Sequence, residues 1–448
     1  MITASAIEEK LRSIVGVRHF RAATASDTIL GVEPKFVAEP ASERELAALL
    51  SSANEAQIAV IPRGGGTKLA WGNPPKRADL VLSTARLNRV LEHAWADLTV
   101  SVEAGCTLLT LEEKLAQHGQ RLALDGLQPE SATIGGILST NDSGVLRLRF
   151  GALRDLVIGV TLALPDGTLA SSGGKVVKNV AGYDLPKLTT GAFGTLGIIT
   201  RAIFRLHPLP HSTRTFSFAA ANPRDAERHI LAIQDSRLAH TALEVRGESA
   251  GQIFVDILFE ATEAGLAAQE SQLRTLVGES GVERSGKELW SAREGLWSPP
   301  LENAVVAKLS VLPSAIAKTL RLMEEIANPR SVRFRYVVQA TGLGALRLEG
   351  EWSSLQAVVE RVRSELESSG ASLVVLHRPA ALESLDAWGA SGDAIVLMRA
   401  VKQQLDPKST LNPGRFVGGI WSHDGKFHRA SLPKRLRRAP SAGPRNHR

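Results

Sequence analysis

Glycine clusters that follow strand-like runs most constrain what this chain can fold into. They occur at Gly64–Gly66, Gly135–Gly136, Gly173–Gly174 and Gly191–Gly197, all within residues 34–210. Because glycine has no side chain, its backbone approaches a ligand closely and turns with positive φ. The clusters therefore predict loops whose backbone lies against a bound ligand.

Between these clusters the sequence alternates helical and strand-like patterns. "ERELAALLSSANEAQ" has helical apolar spacing and precedes the strand-like "IAVIP", and "LTVSVEAG" leads into the helical "LLTLEEKLAQHG". Residues 34–210 are therefore predicted to form one mixed α/β domain. Residues 1–33 before it are predicted to be an N-terminal helical segment.

After residue 210 the pattern changes to strands separated by longer helical stretches. Helices are predicted at 223–235, 262–277, 313–327 and 353–369. This order indicates a second, α+β domain over 211–394, with an antiparallel sheet covered on one side. The segment 395–420, which contains "LMRAVKQQLDPKSTLNPGRF", is predicted to be a helix broken by a proline-rich turn.

The net charge of +7 comes from the end of the chain. Residues 421–448 hold eight Lys and Arg against Asp424 alone, so the preceding residues are neutral overall. The high pI therefore does not indicate nucleic-acid binding. This basic tail is rich in Arg, Pro, Ser and Gly and is predicted to be disordered. Contact with anionic lipid heads or an acidic partner is the alternative.

A single cysteine excludes several kinds of site. Cys106 alone forms no intrachain disulfide, four-cysteine iron–sulfur site or CxxC zinc site, and it is expected to be buried in a protein of a reducing compartment. The N-terminus lacks a signal-peptide pattern, and no run of 18 apolar residues occurs. Any membrane association is therefore expected to be peripheral or through a partner.

The loop "VIPRGGGTKLAWG" suits a pyrophosphate. Its glycines leave backbone N–H groups open, and Thr67 and Lys68 add a hydroxyl and a positive charge. It matches neither the P-loop nor the Rossmann fingerprint, which needs glycine where Leu69 stands. A plain glycine-rich turn is the alternative.

Two further segments are candidates for ligand contacts. In "GLQPESATIGGILSTNDSG" a tight bend at Thr133–Gly136 precedes small polar residues that suit a flat polar ring edge, with a serine-rich surface loop as the alternative. In "GGKVVKNVAGYDLPKLTTGAFGTLGIITRAIFRLHPLP", Tyr183, Asp184 and Lys187 are predicted to share a short helical stretch. The glycines that follow it turn into a strand whose backbone suits the adenine end of a dinucleotide.

These segments and the closing "LDPKSTLNPGRF", in this order, resemble the vanillyl-alcohol-oxidase/p-cresol-methylhydroxylase superfamily. The resemblance spans about 34–210 and 395–416. It implies an α+β protein: a PCMH-type FAD-binding domain of two subdomains, followed by an α+β cap with an antiparallel sheet. It also implies non-covalent FAD, because Gly66–Thr67 stand where relatives with covalent flavin often have histidine.

The resemblance assigns FAD contacts to three sets of positions and assigns no metal ligand. The sets are the pyrophosphate loop, a second FAD-contacting segment, and the strand by the adenosine. They comprise Pro62, Arg63, Gly64, Gly65, Gly66, Thr67 and Lys68; Pro129, Ser131, Thr133, Gly135, Gly136, Thr140, Asn141, Ser143 and Gly144; and Ile198 and Ile199.

Two departures narrow the resemblance. Larger relatives read "GSEGTLG" where this chain reads "GAFGTLG", and they carry an "HxGDGNxH" cluster that is missing here. The chain is in this respect similar to the shorter FAD-binding subunit of bacterial glycolate oxidases. That similarity implies oxidation of glycolate to glyoxylate in a cytoplasmic complex with a larger FAD-linked oxidase subunit and an iron–sulfur subunit, associated peripherally with the inner face of the membrane through its partners.

No catalytic residue is assigned from the sequence. Oxidation of a 2-hydroxy acid by a flavin requires a cationic side chain that binds the carboxylate and a base that accepts the hydroxyl proton. Trp290, Arg293 and Trp297 have the spacing of one helical face, and an amphipathic face with Arg293 in a salt bridge is the alternative. Arg333, Arg335, Tyr336, His207 and His377 suit structural roles on strands and turns equally well.

Two other functions remain open. One is a self-sufficient FAD-linked dehydrogenase or oxidase of another hydroxy acid or alcohol. The other is a structural partner whose flavin pocket has decayed, which the intact glycine loops disfavour.

Overall fold

A computed structural model describes residues 4–174, 182–278 and 281–420. The predicted disordered tail, 421–448, and the "KVVKNVA" part of the third segment lie outside these ranges. Within them the chain forms two smaller sheets and a two-stranded ribbon before residue 210, and one large sheet after it.

The first sheet has the order β1-β2-β4-β3, with β2, β4 and β3 parallel and β1 antiparallel to β2. Helices α1 (Ala4–Val15) and α2 (Glu43–Glu55) pack leucines such as Leu11 and Leu46 against it. The strands are β1 (Phe20–Ala22), β2 (Phe36–Ala38), β3 (Val60–Arg63) and β4 (Leu80–Ser83). Because β1 pairs with β2, part of the predicted N-terminal segment shares a sheet with residues after 34.

The second sheet is antiparallel, in the order β5-β6-β10-β8-β9, and β7 and β11 form a separate ribbon. The strands are β5 (Val90–Ala94), β6 (Thr99–Glu103), β7 (Gln120–Arg121), β8 (Val157–Ala163), β9 (Leu169–Gly173), β10 (Ile198–Arg205) and β11 (His207–Pro208). The other α-helices before residue 210 are α3 (Leu108–Ala116), α4 (Ile134–Thr140), α5 (Arg147–Phe150), α6 (Leu153–Leu156) and α7 (Leu185–Thr189). Cys106 is buried in this core, as expected, and burial raises its pKa to about 11.

Two local predictions for the residues before 210 differ from the structure. The bend predicted at Thr133–Gly136 is wrong: Thr133 caps helix α4, and its hydroxyl accepts a hydrogen bond from the N–H of Gly136 at 3.3 Å. A threonine before an apolar residue is an ordinary helix start, and the two glycines concealed it. In the third segment Lys187 lies in α7, Asp184 caps that helix, and Tyr183 lies just before it.

The large sheet has eight antiparallel strands in the order β15-β12-β14-β13-β17-β18-β16-β19, which confirms the predicted antiparallel cap sheet. The strands are β12 (Ser212–Ala220), β13 (His240–Glu248), β14 (Ile253–Ala261), β15 (Glu283–Ser285), β16 (Ala304–Ser310), β17 (Arg333–Gln339), β18 (Leu343–Glu349) and β19 (Ser372–His377). The helices are α8 (Pro223–Asp235), α9 (Glu263–Val277), α10 (Ala292–Gly295), α11 (Ile316–Ala327) and α12 (Trp352–Ser368). Residues of α8, α9, α11 and α12 join the apolar core on one side of the sheet.

The closing segment returns to the first half of the chain. Helix α13 (Ile395–Leu405) precedes a turn in which Leu411 forms a parallel bridge to Val60. Within it the buried Lys402 ammonium pairs with Asp406 and donates to the carbonyls of Thr195 at 2.7 Å and Leu411 at 3.0 Å. This buried ion pair fixes the end of the described chain against residues 60 and 195.

In the described ranges, no helix combines the length and apolar character needed to cross a membrane.

Removing one partner of the Lys402–Asp406 pair should destabilise the protein strongly. Lys402→Met leaves the fully buried Asp406 carboxylate without its cation, which costs about 3–5 kcal/mol of unfolding free energy. The matched control is Lys187→Met, which breaks an exposed pair with Asp184 and should cost under about 1 kcal/mol. Denaturant titration measures both, and equal losses would contradict this prediction.

Candidate functional site

The first candidate site is an open cleft between the first glycine loop, helix α4 and the closing segment. The empty space of this cleft, including the part open to solvent, is about 730 Å³. Its lining consists of Pro62, Arg63, Gly64, Gly65, Gly66, Thr67, Lys68, Leu69, Thr84, Thr133, Gly135, Gly136, Ser139, Thr140, Phe193, Gly194, Ile198, Ile199, Asn412 and Arg415.

Close packing explains why two of the loop positions are glycine. A Cβ on Gly64 would lie 2.0 Å from Oγ1 of Thr133, and a Cβ on Gly65 would lie 1.8 Å from the carbonyl oxygen of Ser131. Both distances are far inside van der Waals contact, so any side chain would push the first loop away from the second segment. The two predicted segments therefore form one wall of the cleft.

Most predicted FAD contacts line the cleft, and five do not. The five are Pro129, Ser131, Asn141, Ser143 and Gly144. Pro129 accepts a bond from the N–H of Leu109 at 2.9 Å, and the N–H of Gly144 donates to Asp125 at 2.8 Å. Asn141 and Ser143 line a second cavity instead. The assignment of the individual positions to FAD stays a prediction.

The two cations of the first loop are already paired with acids. Arg63 donates to Asp27 at 2.7 Å, and the Lys68 ammonium lies 3.2 Å from Asp142. Burial lowers the pKa of Lys68, and the adjacent Asp142 partly offsets this. The positive charge of Lys68, which was predicted to bind a pyrophosphate, is therefore partly compensated by the carboxylate of Asp142.

Seven cleft residues were not among the predicted FAD contacts: Leu69, Thr84, Ser139, Phe193, Gly194, Asn412 and Arg415. A signal existed for three of them. Phe193, with φ of 55°, lies in the "GAFGTLG" variant, and Asn412 and Arg415 lie in "LNPGRF". Both motifs were recognised only as resemblances to relatives, with no role for their side chains.

The lining fits FAD, the cofactor that the resemblance implies. Oδ1 of Asn412 and Nε of Arg415 are buried and have no hydrogen-bond partner among the described residues, although both residues line the cleft. Buried polar atoms are normally paired, so these atoms are suited to a polar ligand. On the opposite wall, the glycine loop adds backbone that carries no side chains at Gly64, Gly65 and Gly66.

A second cavity lies between the first half of the chain and the cap. Its residues come from the loop before α5, from α5, from the segment around α10, and from the open face of the cap sheet. They are Trp71, Leu127, Asn141, Asp142, Ser143, Arg147, Arg293, Trp297, Lys308, Val337, Gln339, Leu343, Gly344, Ala345 and Leu376. The cavity shares Trp71, Leu127 and Trp297 with a neighbouring opening that also contains Lys68, so it adjoins the glycine loop.

Asp142 is the central carboxylate of this cavity. Its fully buried side chain pairs with Arg293 of the cap and Lys68 of the glycine loop, and it accepts from the N–H of Leu127 at 2.9 Å. Burial alone would raise the pKa of Asp142, but Arg293 and Lys68 lower it. Asp142 is therefore ionised and joins the loop to the cap.

The helical face predicted for Trp290, Arg293 and Trp297 is wrong. Residues Lys287–Ser291 form a 3₁₀ turn and α10 has only four residues, so Trp290 lies apart from Arg293 and Trp297, which both line the second cavity. Trp290 donates to Oγ1 of Thr215 at 3.0 Å, and Trp297 stacks on Trp71 with ring centroids 5.9 Å apart. The salt bridge of Arg293, which belonged to the alternative interpretation, is present.

Lys308 and Arg147 are cations of this cavity that form no ion pair with an acid in the part of the chain that the structure describes. Burial, together with Arg293 and Arg147, lowers the pKa of Lys308 to about 8. Burial also raises the pKa of nearby Glu244 well above its usual range, which keeps this carboxyl neutral. The cavity therefore has an excess of positive charge and suits an anion.

The remaining candidates have structural contacts. Arg333 and Arg335 lie 3.5 and 3.7 Å from Glu349, whereas Tyr336 is buried in the core of the cap. The Nε2 of His377 lies 3.2 Å from the carbonyl of Leu301, and the His207 ring lies 4.7 Å from that of Phe150. Across the described ranges, no three His, Cys, Asp or Glu side chains are grouped so as to hold a metal ion.

Comparison with protein families gives two matches. A model of the FAD binding domain matches residues 34–173, and a model of the C-terminal domain of FAD linked oxidases matches residues 388–416. The two matches contain both walls of the cleft, apart from the residues 193–199.

Three of the curated relatives are named for oxidation of different 2-hydroxy acids. The chain is 31% identical to "Glycolate oxidase subunit GlcD" of Bacillus subtilis over 54% of this chain and 53% of that one, so the match spans about half of that relative. It is 28% identical to a D-2-hydroxyglutarate dehydrogenase of Xanthomonas citri, over 85% of this chain and 89% of the relative. It is 29% identical to a D-lactate dehydrogenase of Archaeoglobus fulgidus, over 85% and 91%.

Solved structures share the fold at low identity. p-Cresol methylhydroxylase with substrate bound has a TM-score of 0.74 at 15% identity, covering 92% of this chain and 97% of the other. The 4-ethylphenol oxidase of Gulosibacter chungangensis has a TM-score of 0.72 at 17% identity, covering 97% and 99%. These likenesses confirm the predicted PCMH-type FAD-binding fold with its α+β cap.

A methyl group at position 65 should be enough to prevent FAD retention. Gly65→Ala places a carbon against the Ser131 carbonyl and separates the two segments that form one wall of the cleft. The matched control is Gly174→Ala, where the added carbon has nothing within 4 Å. The flavin absorbance of the purified proteins gives the FAD content per chain. Equal FAD content in both variants would contradict the role of this contact.

Proposed function

Because this chain is an FAD-dependent oxidoreductase with the PCMH-type fold, we propose that it oxidises a 2-hydroxy acid, with glycolate as substrate and glyoxylate as product. The observation that carries the proposal is the excess of positive charge in the cavity between the glycine loop and the cap. Bound FAD supplies the acceptor for the hydride that leaves the hydroxyl-bearing carbon. The substrate loses that hydride and its hydroxyl proton, and a carbonyl group forms.

The residues of this cavity account for binding and orientation of such a substrate. Lys308 and Arg147 provide charge-assisted hydrogen bonds to a carboxylate. Oδ1 of Asn141 and Oγ of Ser143 are buried without a hydrogen-bond partner among the described residues and suit the substrate's hydroxyl group. The apolar residues Val337, Leu343 and Leu376 restrict the space for water around these groups.

Glycolate and the subunit role are supported by two observations. A glycolate oxidase subunit is among the relatives, and "GAFGTLG" with the missing "HxGDGNxH" cluster resembles the shorter FAD-binding subunit. The complex so proposed contains a larger FAD-linked oxidase subunit and an iron–sulfur subunit, and it is cytoplasmic, with peripheral association at the inner face of the membrane. Co-expression with these subunits tests it: glycolate should reduce the flavin only when the larger subunit is present.

A self-sufficient dehydrogenase of D-lactate or D-2-hydroxyglutarate is the second candidate. Dehydrogenases with these names align with this chain over about nine tenths of their own length, with 89% and 91% covered. Anaerobic mixing of the isolated chain with each acid decides between the two. Bleaching of the flavin by one acid without any partner favours this candidate and excludes the strict subunit role.

Loss of the Lys308 charge should weaken substrate binding. Lys308→Met removes a charge-assisted hydrogen bond worth about 1.5–3 kcal/mol, so KM should rise roughly 10- to 100-fold. Lys318→Met removes an exposed lysine of the same cap and should leave KM within twofold. Steady-state flavin reduction with glycolate, D-lactate and D-2-hydroxyglutarate supplies the KM values. An unchanged KM in the Lys308 variant for every acid that is oxidised would exclude the proposed carboxylate site.

The same lysine should make substrate binding depend on pH. Lys308 is charged below its pKa of about 8 and neutral above it, so KM should be constant at lower pH and rise as the pH passes through about 8. This rise should be absent in Lys308→Met and present in Lys318→Met. A profile of KM from pH 6 to 10 provides the measurement, and the same rise in all three proteins would assign it to another group.

A further inference from the structure

Two arginines meet at the side of the cofactor cleft that faces the cap. Arg415 follows the "NPG" turn of the closing segment and lines the cleft, whereas Arg378 follows the cap strand β19. Both are held by carbonyl groups of the same short stretch: Arg415 by those of Leu69 and Trp71, and Arg378 by that of Gly72 at 3.3 Å. The pair therefore connects the cap to the chain that follows the glycine loop.

Both guanidinium groups are almost completely buried and incompletely satisfied. Arg415 is 2% exposed and Arg378 is 7% exposed. Nε of Arg415 and both Nε and Nη2 of Arg378 have no hydrogen-bond partner among the described residues. Burial, together with repulsion from the adjacent Arg378, lowers the pKa of Arg415 to about 10. Both arginines remain charged at neutral pH.

No acid of the described ranges forms an ion pair with either arginine. Asp386 and Glu383 raise the pKa of Arg378 only from a distance, and burial outweighs them. Three other buried cations of the described ranges are paired with acids: Lys402 with Asp406, Arg293 with Asp142, and Arg347 with Glu349. Because an uncompensated buried charge is costly, a pair of them beside a ligand cleft indicates an anion that comes with the ligand.

We propose that Arg378 and Arg415 form an anion site at the cap side of the cofactor cleft, and that its anion is a negatively charged group of FAD. That group is either the diphosphate or the flavin ring after it has gained two electrons. The inference rests on FAD binding and is independent of which acid is oxidised. Arg415 makes the contact, since it lines the cleft, and Arg378 adds positive potential behind it.

The test compares three variants of the full chain: Arg415→Gln, Arg378→Gln and the control Arg363→Gln. Arg363 is likewise buried and held by carbonyls, those of Leu373 and Ala387, but it does not line the cleft. For each apoprotein, dissociation constants for FAD, ADP and riboflavin are measured by titration, and the midpoint potential of the bound flavin is measured by spectroelectrochemistry.

The two possible anions give different results. If the diphosphate occupies the site, Arg415→Gln raises the dissociation constants of FAD and ADP at least tenfold and leaves that of riboflavin and the midpoint potential unchanged. If the reduced ring occupies it, oxidised FAD binds with unchanged affinity, but the midpoint potential falls by about 30 mV, which corresponds to a tenfold loss for a two-electron couple. In both cases Arg378→Gln shifts the same quantity by less.

The proposal is overturned if Arg415→Gln and Arg378→Gln match Arg363→Gln in every dissociation constant and in potential. Should Arg415→Gln fail to fold, as judged by circular dichroism, Arg415→Lys takes its place, since it keeps the charge but loses the planar donor set. The lysine variant should then lose affinity or potential relative to Arg363→Gln, and equality would again overturn the proposal. A failed substrate assignment leaves all of these quantities unaffected.

Discussion

The buried carboxylate of Asp142 holds together the parts of the molecule that have to meet for catalysis. It forms ion pairs with Lys68 of the glycine loop and Arg293 of the cap, and it accepts a hydrogen bond from the backbone N–H of Leu127. Asp142 therefore fixes the distance between the cofactor cleft and the cavity beneath the cap. Asp142 compensates the charges of Lys68 and Arg293. Lys308 and Arg147 are therefore the cations of the second cavity that can bind an anionic ligand.

A second set of contacts closes the opposite side of the cleft. Lys402 ties the closing segment to Thr195 and also holds the segment's own turn at Leu411, and this in turn positions Asn412 and Arg415 in the lining. The site thus depends on two buried ion pairs that stand far apart in sequence. In both pairs the charges compensate each other, whereas Arg378 and Arg415 have N–H donors without a hydrogen-bond partner among the described residues.

The order of helices and strands was predicted from the sequence patterns, because these report which face of an element is buried, whereas the PCMH-type fold was predicted from the resemblance of the motifs to a known family. The sequence also located the first glycine loop from its run of glycines, but the reason for Gly64 and Gly65, their close approach to Thr133 and Ser131, is a long-range contact. It failed where long-range contacts decide: the spacing of Trp290, Arg293 and Trp297 suits a helix, but the chain there is drawn to Thr215, Asp142 and Trp71. Nor does any local pattern reveal that Lys68 is paired with Asp142, or that Arg415 lines a cleft begun at Pro62.

The position of the closing segment has a consequence for the order of events during synthesis. The cleft opens at residue 62, but its far wall consists of residues 412 and 415. A growing chain has therefore made its glycine loop, its α4 helix and its entire cap sheet before the last wall exists. Tight binding of FAD therefore requires that residue 415 has been synthesised and has left the ribosome. A chain that binds FAD tightly has thus been made over nearly the whole described range.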